Sequence, residues 1–373
     1  MNIAYVAPVV YPFVKGGAEK RIHEIGRRLA ERGHKITIYS RHWWNGPAVR
    51  THAGMILRSV GPARELYANG DRRSIVGALE LAAQLVGPLA RHADEHDLLV
   101  TPVAPYFHVF STRLAGTLRS TPLVATWHEV WGEYWYRHLG RTGLAGDLVE
   151  RATARLPHHA VTPSEMVARQ LAALGPDREQ ITVIPNGVDV SAIRETPPAR
   201  DGYDVLYVGR LIKDKNVKLL LDAFDAATTD EATLGIVGDG PDSRHLREHA
   251  AQLNAADRVT FLGFLDEHRR VLAQMQAADV FVSPSIREGF GITLLEAMAA
   301  DCTVITAEHQ HTAGSEIVGD AGLVTAPTLE AVAAAIGRAL AGERPAAEPV
   351  ARASEYDWSA ITAATEQYFQ RRC

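Results

Sequence analysis

Residues 280–296 read Val-Phe-Val-Ser-Pro-Ser-Ile-Arg-Glu-Gly-Phe-Gly-Ile-Thr-Leu-Leu-Glu. The short apolar run at 280–283, closed by a proline, has the pattern of a strand buried on both faces. Gly289 and Gly291 let the backbone turn tightly and approach a ligand, and the run from Ile292 to Glu296 favours helix. Strand, glycine turn and helix in that order open a βαβ unit. The unpaired N–H groups of the helix's first turn form an anion site that suits a diphosphate. Glu288 and Glu296 are expected near one helix face, where both reach one extended ligand. Taken alone, the same residues also make an ordinary glycine-rich turn, with one Glu favouring the helix N-terminus and one on a solvated face.

Outward from this stretch the same alternation repeats on both sides. Strands are expected at 204–208, 234–237, 259–262 and 303–306, with helices at 216–227, 242–253, 267–277, 291–300 and from 329. The first half carries strands at 2–7, 35–39, 97–101, 123–126, 159–162 and 181–184, and helices at 17–32, 74–93, 145–154 and 164–174. Alternation of this kind specifies parallel sheets. Between the halves, Pro197-Pro198 continues neither helix nor central strand. The expectation is α/β: an N-terminal Rossmann-like domain at 1–190, a linker at 191–202, a second such domain at 203–357 and a C-terminal helix at 358–373 crossing back to the first. Residues 342–349 read as disordered. Ligands on such sheets bind beyond the carboxyl ends of the strands, so two doubly wound domains facing one another are expected to form a cleft.

The length of 373 residues suits two domains, and 46% apolar residues suffices for full cores. The formal net charge of −5 divides into +5 over residues 1–190 and −10 over 191–373. That asymmetry hints at an anionic partner for the first half. Only Cys302 and Cys373 occur, so no disulfide framework exists and a reducing, cytoplasmic location is expected. No targeting segment is read at the N-terminus, and the most apolar windows, 78–90 and 329–340, are too short to span a bilayer.

Two cations stand at the same expected sheet edge as the glycine turn. Arg210 closes the strand of Val208-Gly209-Arg210-Leu211, and Lys215 follows before the next helix. Arg210 as a planar fork and Lys215 as a point charge would neutralise a departing diphosphate. Gly238-Asp239-Gly240-Pro241 is a turn by composition and a wall of the same pocket. No Asp-x-Asp pair exists in the chain, and neither His158-His159 nor His309-x-His311 has further ligands at zinc spacing, so no metal and no cofactor are expected.

The segments E-G-F-G-I-T-L-L-E-A-M-A, V-G-R-L with Lys215 downstream, G-D-G-P and S-P-S together resemble the retaining GT-B glycosyltransferases, glycosyltransferase family 4. The loop Lys15-Gly16-Gly17-Ala18-Glu19, the T-W-H-E segment at 126–129, Thr162-Pro163-Ser164-Glu165 and I-P-N-G-V-D at 184–189 extend the resemblance over nearly the whole chain. It implies a hexose-type donor linked to a nucleoside diphosphate, UDP or GDP, bound by the C-terminal domain, and an acceptor bound by the N-terminal one. It assigns the diphosphate to Arg210 and Lys215, with Gly17 approaching from the other side, and the ribose hydroxyls to Glu296. The transferred sugar goes to Glu288 and the backbone of Gly289, Phe290, Gly291, Ile292 and Thr293. His128 matches the family's active-site histidine. The implied chemistry is transfer with retention of anomeric configuration, in which charge developing on the leaving phosphate is met by cations and N–H dipoles.

The implied acceptor is a glycan, a lipid-linked glycan or a small molecule, and no nucleic acid is involved. An epimerase of the same fold and a silent nucleotide-sugar binder are the rival readings. Basic residues from Lys20 to Lys35 offer a membrane-docking face, although Glu19, Glu24 and Glu31 interrupt it and favour a solvated helix. Trp127, Trp131, Tyr134, Trp135 and Tyr136 are candidates for stacking on an acceptor or for core packing.

Overall fold

The computed structural model describes residues 1–64, 67–68, 72–73, 75–227 and 231–373. They divide into two compact units, Met1–Pro185 with Trp358–Cys373, and Asn186–Asp357.

The first unit begins β1 (Asn2–Val6), α1 (Gly17–Glu31), β2 (Lys35–His42), β3 (Val49–His52) and β4 (Met55–Pro62). Two-residue strands β5 (Tyr67–Ala68) and β6 (Arg72–Arg73) pair antiparallel and lead to α2 (Ile75–His92). Then come β7 (Leu98–Pro102), α3 (Phe107–Arg119), β8 (Leu123–Thr126), α4 (Tyr134–Leu139), α5 (Gly143–Ala154), β9 (His159–Thr162), α6 (Glu165–Ala172) and β10 (Ile181–Val183). Among the described residues these form an eight-stranded sheet in the order β10-β9-β8-β7-β1-β2-β4-β3, parallel except for β3 on β4. Central strands such as β7 are buried along their whole length, as both faces are covered by helices.

The second unit runs α7 (Val190–Arg194), β11 (Val205–Val208), α8 (Val217–Ala227), β12 (Leu234–Val237), α9 (Ser243–Ala250), β13 (Val259–Gly263), α10 (His268–Ala277) and β14 (Val280–Ser283). It continues with α11 (Ile292–Ala299), β15 (Thr303–Ala307), α12 (Gly314–Val318), β16 (Leu323–Thr325), α13 (Leu329–Leu340) and α14 (Pro349–Ser354). Its all-parallel sheet has the order β13-β12-β11-β14-β15-β16. Strand order reverses between β11 and β14, the switch point at which such sheets bind ligands. Val205, Tyr207, Leu220, Phe224, Ile236 and Val282 lie in its core.

The last helix, α15 (Trp358–Gln370), packs in the first unit: Trp358, Ile361, Tyr368 and Phe369 share a core with Ile3, Tyr5 and Ile25. Arg32 and His34 reach Glu366 on it at 2.7 and 2.6 Å.

Three details depart from the sequence reading. The division falls after Pro185 rather than at 190, and residues 191–202 are no free linker. Val188 N–H donates to Tyr356 O at 2.9 Å, Ala199 N–H to Ala273 O at 2.8 Å and Gln276 Nε2 to Ile193 O at 2.7 Å, which ties this stretch into the second unit. Asp189 caps α7 by accepting from Ala192 N–H at 3.0 Å. Secondly, the strands β3 to β6 and β16 and the helices α3, α4, α7 and α12 are not among the expected elements. The β3–β4 hairpin turns at Ala53-Gly54, both at positive φ (46° and 76°), and Ala is an unusual residue for such a turn. Thirdly, residues 342–349 are held in place, with Ala347 N–H donating to Asp320 O at 2.9 Å and Pro349 opening α14. Ser74, the expected start of α2, lies outside the described residues.

Candidate functional site

The second unit gathers its sequence-predicted residues at the switch point. The loop after β11 is fixed by its neighbour: Gly209 N–H donates to Val237 O and Leu211 N–H to Asp239 O, both at 3.0 Å. The approach is so close that a Cβ on Gly238, at φ +135°, would stand 1.9 Å from Gly209 O. That contact is why a glycine opens Gly238-Asp239-Gly240-Pro241. Tyr207 OH donates to Arg210 O at 3.2 Å, which fixes the backbone of Arg210 while its side chain stays exposed. Arg210 forms no ion pair among the described residues.

Lys215 ends a short 3-10 turn at 213–215, followed by Asn216 at φ 54°. Ile286 N–H donates to Asp214 O at 2.9 Å, joining the loops that follow β11 and β14. This link brings Lys215 Nζ into an ion pair with Glu288, both side chains partly buried. Glu288 is not on a helix. Its backbone runs as an extended bridge, donating to His311 O at 3.0 Å and accepting from Ala313 N–H at 2.9 Å. Burial, with the nearby Glu288 charge adding to it, pushes the Tyr207 phenol up.

The glycine turn leads into a helix start with no side-chain cap. Gly291 is the N-cap of α11 at φ +91°, and a Cβ there would meet Leu294 Cδ1 at 2.8 Å. No side chain caps the helix, so its first N–H dipoles are left to a ligand or solvent. Gly289, Ile292 and Thr293 are half-buried around this turn. The Phe290 side chain is not a ligand surface: it is 3% exposed and meets Tyr356 edge-on at 6.0 Å between ring centroids. Phe290 offers backbone alone.

Glu296 lies in the second turn of α11 and is 3% exposed, which excludes the solvated-face reading. His268 Nε2, on the first turn of α10, stands 3.0 Å from its Oε1. Sequence reading missed His268, because the two positions are neighbours only after α10 and α11 dock.

In the first unit, Gly17 opens α1 and is exposed. His128 follows β8 and is half-buried. It lines a cavity of about 20 Å³ with Thr126, Tyr5, Arg21 and Thr365, enough room for one water molecule. Arg21 is buried and donates to Pro185 O; burial pushes its guanidinium down to about 10, partly offset by Tyr5.

The segment after His128 is organised by a residue that the sequence did not announce. Glu150 on α5 is fully buried and accepts four hydrogen bonds. Tyr106 OH and Trp131 N–H donate to Oε1 at 2.8 Å each, Gly132 N–H to Oε2 at 2.7 Å and Trp135 Nε1 to Oε2 at 3.1 Å. Four neutral donors thereby stabilise one buried carboxylate. Trp127 is core, whereas Trp131, Tyr134 and Trp135 are half-buried, with Trp131 and Tyr134 edge-to-face at 5.1 Å.

The basic residues of α1 are largely engaged. Arg27 pairs with Glu24 and Glu31 at 3.1 and 2.9 Å, Arg28 with Glu24, and Arg32 with Glu366. Among the described residues no group of three His, Cys, Asp or Glu side chains is placed to hold a metal. No described helix is long and apolar enough to cross a membrane.

Comparison with known proteins gives this geometry a family. Residues 15–192 match the family described as Glycosyltransferase Family 4, and residues 190–356 that described as Glycosyl transferases group 1. The chain is 30% identical to a phosphatidyl-myo-inositol mannosyltransferase of Mycolicibacterium smegmatis, over 97% of this chain and 92% of the relative. It is 27% identical to a glycogen synthase of Mycobacterium tuberculosis, over 99% and 94%. Among solved structures, Anabaena HepE in complex with UDP and glucose is similar with a TM-score of 0.75 at 20% identity, covering 100% of both chains. Sucrose-phosphate synthase from Thermosynechococcus elongatus is similar with a TM-score of 0.77 at 23% identity, covering 99% and 98%. The chain belongs to the glycosyltransferase family 4 enzymes of GT-B fold and is a glycosyltransferase.

Proposed function

We propose that this glycosyltransferase moves a hexose-type sugar from a nucleoside diphosphate donor, UDP- or GDP-linked, to a hydroxyl acceptor with retention of anomeric configuration. The observation that carries the donor reading is the convergence at the β11/β14 switch point. There, exposed Arg210, the Lys215–Glu288 pair, the uncapped start of α11 and buried Glu296 lie on neighbouring loops and helices of one unit. The solved relative HepE holds UDP and glucose, and a nucleotide-sugar fits the charge pattern of this chain.

In this reading Arg210 and Lys215 neutralise the charge that develops on the departing β-phosphate, and the N–H groups at Ile292 and Thr293 add fixed dipoles. Glu288 orients Lys215 and accepts from sugar hydroxyls. Glu296 accepts the ribose diol. The first unit takes the acceptor, a glycan, a lipid-linked glycan or a small molecule, and carries His128, the match to the family's active-site histidine. Charge on the leaving group is met by side chains and backbone, so the reaction is metal-independent. The pairing of Arg27, Arg28 and Arg32 with carboxylates favours a solvated α1 over one docked on an anionic membrane.

The test is nucleotide release from UDP-, GDP- and ADP-sugars, with and without EDTA. Turnover with one donor class, unaffected by EDTA, supports the reading. Binding without turnover for every donor, or a strict Mg²⁺ or Mn²⁺ requirement, contradicts it.

A further inference from the structure

The aromatic segment after His128 is fixed from two sides. Glu129 and Trp131 follow β8, and Tyr106 follows β7, its parallel neighbour, so both loops emerge at the carboxyl edge of the first sheet. Tyr106 is the centre of a tight turn at φ 72°, with Phe107 N–H donating to Pro105 O at 3.0 Å, a backbone form that is rare and strained. Glu150 joins the two loops through Tyr106 OH and the backbone N–H groups of Trp131 and Gly132. The Trp131 ring is oriented separately from that anchor. Its Nε1 donates to Glu129 Oε1 at 2.8 Å, and its centroid lies 5.1 Å from Tyr134, edge-to-face, and 4.5 Å from Trp135. Trp131 is nevertheless only half-buried, and Glu129 is exposed. A pre-oriented indole thus reaches the surface on the same loop as His128.

We propose that Trp131 is an acceptor-recognition residue on which the C–H face of a carbohydrate ring stacks, so that the acceptor of this enzyme is a glycan or glycoside. This rests on the reading of the first unit as the acceptor side. A rigid indole offers a large flat contact area at low entropic cost, and a sugar ring presents C–H groups to such a face and hydroxyls at its rim. Glu129 separates this occupant from an acyl chain. Its carboxylate sits at the edge of the indole, where a sugar hydroxyl can donate to it. An apolar chain laid over the ring would strip water from that carboxylate and bring no donor of its own.

The experiment is saturation-transfer NMR of the full chain, with UDP or GDP present, for wild type, Trp131→Ala, Trp131→Phe and Glu129→Ala, each checked by thermal melting. The probes are the methyl α-glycosides of glucose, mannose and galactose and, as the apolar arm, 1-octanol. The bonds from residues 131 and 132 to Glu150 use backbone N–H groups and survive all three substitutions. In wild type at least one glycoside should receive saturation on its ring C–H protons. Trp131→Ala should weaken that binding about tenfold, the scale of one aromatic contact. Trp131→Phe, which keeps a flat face and loses only the N–H, should recover most of it. Glu129→Ala should weaken it about threefold by freeing the ring. Glycoside binding unchanged in Trp131→Ala, saturation of 1-octanol alone, or saturation of no probe overturns the inference. Nucleotide release assayed on the same preparations keeps the two claims apart. Release with no dependence of glycoside binding on Trp131 leaves the transfer reading standing and overturns the inference. Trp131-dependent glycoside binding without release from any donor supports the carbohydrate platform and overturns the transfer reading.

Discussion

Lys215 and Glu288, 73 residues apart in sequence, form an ion pair at the switch point of the second sheet. In the proposed reading the pair couples two roles that the sequence treats separately, a phosphate cation and a sugar-facing carboxylate. Removing the lysine does more than delete a positive charge, because it leaves a partly buried carboxylate unpaired at the site proposed for the diphosphate. Lys215→Ala should therefore lower turnover about 10²–10³-fold. Adding Glu288→Gln should restore part of the nucleoside diphosphate affinity lost by the single variant. A double-mutant cycle on the UDP or GDP dissociation constant measures this coupling, and strict additivity would show that the two residues act independently.

Arg210 should separate function from stability. It is exposed and without an ion pair among the described residues, so Arg210→Gln should change the unfolding free energy by no more than about 0.5 kcal/mol. Turnover should fall by about 10²-fold or more. Parallel denaturant melts and nucleotide-release assays check both halves of the prediction.

Glu150 should behave in the opposite way. Glu150→Ala strands four donors around a void, and at about 1–3 kcal/mol for each unsatisfied group the loss should exceed about 3 kcal/mol. The indoles of Trp131 and Trp135 should become more solvated, read as a red shift in fluorescence. A melt within about 1 kcal/mol of wild type and an unmoved emission maximum would show that the loop does not depend on this carboxylate.

The packing of α15 within the first unit carries a pH signature. Hydrogen bonds from His34 and then Arg32 hold the Glu366 carboxyl below its usual range. A depressed folded-state value stabilises the fold at pH values above the unfolded carboxylate range, about 4.3, and that stabilisation is lost as pH falls through the folded value. The stability gap between wild type and Glu366→Gln should thus be full at pH 7 and shrink as pH falls below the unfolded carboxylate range. Urea midpoints at pH 7, 5, 4 and 3 follow it, and a constant gap would refute the linkage.

What was legible in the sequence was local. Val280–Ser283, the glycine turn and the helix after it were readable because strand burial, positive φ at Gly291 and helix propensity are all decided within a few residues. Arg210 and Lys215 could be placed at the same sheet edge because βαβ order fixes where loops emerge. The partners were not legible. Lys215–Glu288, His268–Glu296 and the four donors on Glu150 are created by docking of distant segments, and no spacing in the chain encodes them. The buried ring of Phe290 is consistent with a reading that assigned only its backbone to the site. Residues 191–202 misled because Pro197-Pro198 marks an irregular backbone, and irregular backbone can still be hydrogen-bonded into a domain.

The central claim is retaining transfer from a nucleoside diphosphate sugar. It is tested most directly by proton NMR of the product formed from the α-linked donor that gives the fastest nucleotide release. The account predicts that the first product detected carries an α-anomeric linkage, with nucleotide released in step and no metal added. A β-linked first product, or no nucleotide release from any UDP-, GDP- or ADP-sugar, would contradict it.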